Sequence, residues 1–117
     1  MAIRHNHAYN IFMTEFISVT ITVPSSAEAE RIATALVQER LAACVSIIPA
    51  VRSMYMWEGK LHDEAETILM AKTRLEKFEE IKKLLKILHS HSCPCIVATP
   101  IVAGHQGYLD WVKTETS

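Results

Sequence analysis

The chain has 117 residues, half of them apolar, and a formal net charge of −1. That composition suits one soluble domain with a real core, and the near-neutral balance gives no long-range field to attract nucleic acid or an anionic membrane surface. Three cysteines argue against a disulfide framework and for a reducing compartment. There is no apolar run of transmembrane length and no signal-peptide start, so cytoplasmic residence without membrane insertion is the expectation.

Residues 1–15 show no hydrophobic period and are expected to be a disordered tail, with 16–117 as the folded domain. Phe16 to Val23 alternates apolar and hydroxyl residues, the pattern of a half-buried strand, and Pro24 stops it. Ser25 then caps a helix, with Glu28 three residues on to complete a capping box. Ala29, Ile32, Ala33, Leu36 and Val37 form one apolar stripe along that helix.

Next come two long β-rich arms, Val45 to Trp57 and Lys60 to Lys72, joined by Glu58-Gly59. Gly59 can take a positive φ, so the pair suits a two-residue hairpin turn that sets Met56 opposite Leu61 and Tyr55 opposite His62. Pro49 cannot donate a ladder bond, so a bulge or edge position is expected there. Thirteen extended residues span about 43 Å, against a diameter of about 35 Å for a compact domain of this size. The tip would therefore overhang its own globule. It carries Met54, Tyr55, Trp57 and Leu61, too apolar for a bare ribbon, and a partner subunit is the simplest cover. The competing reading is a shorter hairpin broken at Pro49. For the acid run Asp63, Glu64, Glu66, a solvated hairpin tip is preferred over a cation site.

Thr73 with Glu76 reads as a second capping box, opening a helix to about Leu88. Its apolar stripe is Leu75, Phe78, Ile81, Leu85 and Leu88, and its mixed lysines and glutamates form a solvated face. After the connection His89 to Cys95, the run Ile96 to Ala103 is a strand bent or ended near Pro100. A short terminal helix follows, docking Tyr108, Leu109, Trp111 and Val112 on one side. The order strand, helix, strand, strand, helix, strand and terminal helix predicts an α+β ferredoxin-like split βαβ fold, a four-stranded antiparallel sheet backed by two helices.

Chemistry concentrates in the connection. Cys93 and Cys95 flank Pro94, and His89 and His91 supply imidazoles, a donor set suited to Cu(I) or Zn(II). The competing reading makes the cysteines small buried apolar side chains at a strand start. Cys44 reads as a core thiol. No nucleophile motif is present, so no catalytic residue and no organic cofactor are expected.

Several spaced motifs in one order resemble the CutA, or divalent-cation tolerance, family. They are Arg40-Leu41-Ala42-Ala43-Cys44-Val45, Ser53-Met54-Tyr55 leading to Trp57-Glu58-Gly59-Lys60, Lys72-Thr73, His89 with Pro94, and Tyr108-Leu109-Asp110-Trp111. The resemblance implies a homotrimer whose long hairpins pack around a threefold axis, and a role in tolerance of copper and other divalent ions. It also implies, as alternatives, a scaffold for a protein partner or a PII-like signalling module with ligand pockets between subunits. This chain departs from the family at two places, with His91 where a tyrosine is usual and Cys95 where a glutamate is usual.

Overall fold

A computed structural model describes residues 14–117. The elements are β1 (Phe16–Val23), α1 (Ser26–Gln38), β2 (Cys44–Trp57), β3 (Lys60–Arg74), a 3-10 turn (Leu75–Lys77), α2 (Phe78–Leu88), β4 (Ile96–Pro100) and α3 (Gln106–Glu115). The strands make one antiparallel sheet in the order β2-β3-β1-β4, the split βαβ arrangement expected from the element order. Of the expected tail, only Thr14 and Glu15 fall within the described residues. Glu15 is tied in, its carbonyl accepting from Leu75 N–H at 2.8 Å.

Strand alternation decides which face is dry. Ile17, Val19, Ile21 and Val23 of β1 and Leu69 and Ala71 of β3 share one face, packed with Ala29, Ile32 and Leu36 of α1 and Ile81 and Leu85 of α2. The residues between them, including Cys44, Lys72 and Arg74, belong to the other face by register. There α3 is held by Arg74, which donates to the Thr116 carbonyl at 2.6 Å, while the Tyr108 hydroxyl lies 3.2 Å from Cys44 Sγ. Of the four residues expected to dock this helix, Val112 is buried and Leu109 is partly so. Tyr108 and Trp111 stay exposed, their rings 5.7 Å apart.

Both capping boxes need correction. Ser25 does accept from Glu28 N–H at 3.2 Å, but the Glu28 side chain points elsewhere. Thr73 caps nothing. It remains in β3, opposite Ile17, fully buried, and its hydroxyl donates to the Leu41 carbonyl at 2.6 Å. The helical turn begins after Arg74, with no side-chain cap. Pairing with β1 extends the strand, and a buried partner for the Leu41 carbonyl outweighs one cap.

The hairpin follows its expected register. Met56 faces Leu61, Tyr55 faces His62, and the turn has φ of 51° at Glu58 and 79° at Gly59, the doubly positive geometry that matches strand twist. The register slips between Ile48 and Val51, where Pro49 and Ala50 stand opposite Thr67 alone and Ala50 takes φ 58°. This is the bulge anticipated at Pro49, and pairing continues past it. β1 stops at Val23, opposite Thr67, so everything beyond is a two-stranded ribbon. The molecule accordingly measures 43 × 38 × 23 Å, with a radius of gyration of 15.6 Å against about 13 Å for a compact domain of similar length.

Replacing Thr73 by Val keeps the shape and orphans the Leu41 carbonyl, so unfolding in urea should show a loss of about 1–3 kcal/mol. Thr73→Ser, which keeps the donor, should recover most of it.

Candidate functional site

The connection from α2 to β4 is fastened from underneath by Glu28. This carboxylate sits on the buried side of α1, where its Oε2 accepts from Ser90 N–H at 2.9 Å and from the Ser90 hydroxyl at 3.1 Å. Burial pushes the carboxyl pKa up. The Ser90 amide and hydroxyl, followed by His89 and Arg31, outweigh it and hold the group below its ordinary value. Beside it, the His89 side chain is wholly buried. Its Nδ1 accepts from His91 N–H at 3.0 Å, so the ring proton lies on Nε2, which donates to the Thr22 carbonyl at 2.8 Å. Nδ1 also lies 3.5 Å from Glu28 Oε2.

From this clasp the chain emerges as His91, Ser92, Cys93 and Cys95, all exposed. They form one wall of a cleft of about 770 Å³, whose opposite wall is the hairpin. Register places Ser53, Tyr55, His62, Glu64 and Glu66 on the same face of the ribbon, and all five line the cleft. The Tyr55 and His62 rings stack, with centroids 5.1 Å apart and planes 6° from parallel. The Tyr55 hydroxyl donates to Glu64 Oε1 at 2.5 Å. Its pKa is pushed up to about 12, chiefly by that bond to a carboxylate. The other face of the ribbon carries Met54, Met56 and Leu61, with Arg52 forked onto Asp63 at 2.8 and 2.6 Å. That guanidinium holds the Asp63 carboxyl below its usual range.

The four residues expected to bind metal are thus divided. His89 has both ring nitrogens engaged beneath the surface, whereas His91, Cys93 and Cys95 open into the cleft. Among the described residues, no three His, Cys, Asp or Glu side chains are gathered into a cage for an ion. The reading of both cysteines as buried fillers does not hold either, because both are exposed free thiols. The residues expected at a subunit contact divide as well, with Met54 and Leu61 on one face of the ribbon and Tyr55 and Trp57 on the other. Two groups went unread in the sequence. The Tyr55–His62–Glu64 set was within reach, because Tyr55 opposite His62 follows from the turn and Glu64 is two residues further along the same face. Glu28 was not, since its partner Ser90 lies 62 positions away.

A carboxyl whose folded pKa is depressed adds stability above its unfolded pKa, and that increment disappears as pH falls through the folded value. Glu28→Ala should therefore cost about 1–3 kcal/mol at pH 7. Urea unfolding across pH 3–7 should show the gap to wild type narrowing below about pH 4, the unfolded carboxyl range.

Known proteins resemble this arrangement over most of its length. The family model described as "CutA1 divalent ion tolerance protein" matches residues 17–115. The divalent-cation tolerance protein CutA of Thermus thermophilus is 47% identical over 98 residues, 84% of this chain and 95% of that protein. Its counterpart from Archaeoglobus fulgidus is 47% identical over 94 residues, covering 80% and 91%. Among solved structures, the Thermus thermophilus protein has a TM-score of 0.85 at 45% identity, covering 87% of this chain and 99% of that one. CutA1 from Oryza sativa has a TM-score of 0.86 at 38% identity, covering 89% and 95%. Agreement of sequence and backbone across this span shows that the chain belongs to the CutA1 divalent ion tolerance family.

Proposed function

We propose that the chain works as a cytoplasmic homotrimer that binds copper-type metal ions through His91, Cys93 and Cys95, as part of divalent-cation tolerance, and catalyses no reaction. The observation that carries the metal reading is the exposure of two thiols and an imidazole side by side on the loop that Glu28 anchors. The donor set fits a soft ion, since thiolate and imidazole favour Cu(I) and Zn(II) over harder cations. With His89 committed to the Thr22 carbonyl, its contribution is to position the loop. The three remaining donors would need a small rearrangement, or a neighbouring subunit, to close on one ion.

The trimer is supported by surface that water leaves poorly covered. Met54, Met56, Trp57 and Leu61 are 58%, 63%, 51% and 65% exposed, concentrated on a ribbon with no third strand. Apolar patches of that kind on a soluble chain mark association sites. We assign the subunit contact to the Met54, Met56 and Leu61 face, with Trp57 at the tip. No described helix is long and apolar enough to cross a membrane.

Two measurements test these assignments separately. Sedimentation equilibrium should give three times the 13.2 kDa chain mass, and Met56→Asp with Leu61→Asp should lower it. A protein that stays monomeric at micromolar concentration removes the trimer. Competition titration of the reduced protein with Cu(I) and Zn(II) should show Cys93→Ser with Cys95→Ser weakening binding ~10-fold or more, the scale of losses at metal sites. Unchanged affinity would remove the site.

A further inference from the structure

The cleft holds a second set of groups that the metal reading leaves unused. Its volume of about 770 Å³ is in the range of sites for small organic molecules, far more than a bare ion fills. Its side chains do not converge on a point, as an ion cage requires, but are spread along two walls. Glu64 and Glu66 line it, and no lysine or arginine does. Glu64 is already bonded to Tyr55. Glu66, half-buried at the base of the ribbon, has no hydrogen-bond or ion-pair partner among the described residues. On the hairpin wall the Tyr55 ring is stacked on His62. Across from it, Ser90, Ser92, Cys93 and Cys95 offer hydroxyls and thiols and His91 an imidazole, with no permanently charged side chain to compete for Glu66.

We propose that this cleft binds a small planar organic cation, an amidinium or guanidinium compound, with Glu66 as its counter-ion and the Tyr55 ring as its stacking partner. A planar cation satisfies both halves at once. Its N–H fork matches a carboxylate, and its face is attracted to the electron-rich face of an aromatic ring. This inference goes beyond the metal reading and does not depend on it, because it uses the hairpin wall and not the thiols.

Benzamidine and its neutral isostere benzamide are suitable probes. In a ¹H–¹⁵N titration of the reduced full chain at pH 7.5, benzamidine should bind saturably. The shifts should be confined to residues 53–57, 62–66 and 90–95. Benzamide should bind about ten-fold more weakly or not at all, since it lacks the charge that Glu66 pairs with. Glu66→Gln, at a position without structural partners, should remove that preference, and Tyr55→Leu should weaken benzamidine while leaving Glu66 in place. Cys93→Ser with Cys95→Ser should leave benzamidine binding unchanged, so failure of the cation site and failure of the thiol metal site are read independently. Equal binding of the two probes, retained selectivity in Glu66→Gln, or no binding because a second copy of the chain fills the cleft would each overturn the proposal.

Discussion

Beyond Thr67 the hairpin has no third strand to lean on. β1 ends at Val23, while β2 and β3 run on through residues 51–66, paired from Val51 and Glu66 out to the Glu58-Gly59 turn. An isolated ribbon is marginal in water, and this one holds itself together locally. It does so through the doubly positive turn, the Arg52–Asp63 fork on one face, and the Tyr55–His62 stack with its bond to Glu64 on the other. The pairs are individually modest and exposed, so they fix shape and register more than they stabilise. One face presents Met54, Met56 and Leu61, and the other forms half of a cleft.

The second half of that cleft depends on a different kind of contact. Loop 89–95 has little apolar anchorage of its own, and it is set by buried polar groups instead. A carboxylate with two donors from Ser90 and an imidazole bonded at both nitrogens are costly to leave unpaired once desolvated. Each is paired, which ties the loop to α1 and to the end of β1. The same pairing withdraws His89 from any ligand set and leaves its neighbours displayed. Structural and chemical roles are separated within three residues: His89 and Ser90 hold, and His91 is offered to the cleft.

Cys93 and Cys95 present free thiols on this segment without taking part in its attachment. None of the anchoring bonds involves the cysteine side chains. The thiols proposed to bind metal and the bonds that position the loop are therefore separate sets of atoms. The cation-binding wall proposed on the hairpin is a third.

Local pattern was enough for the elements and their order, because alternation, helical stripes and turn residues are contacts between near neighbours. The Glu58-Gly59 turn fixed the whole hairpin register, and Pro49 marked the bulge. The overhang followed from strand length against globule size. Tertiary structure decided the fate of particular polar side chains. Thr73 and Glu28 each had a plausible local partner at a helix start, and each turned to a buried group far along the chain, where an unpaired atom would cost more than a lost cap. His89 was likewise legible as a possible ligand, and only packing against Thr22 and Glu28 revealed it as a fastener. Sequence determined which segments pair and where the chain turns, since those depend on spacing. The three-dimensional fold alone decided which donors remain free to act, because desolvation is a property of the assembled surroundings and not of the residue.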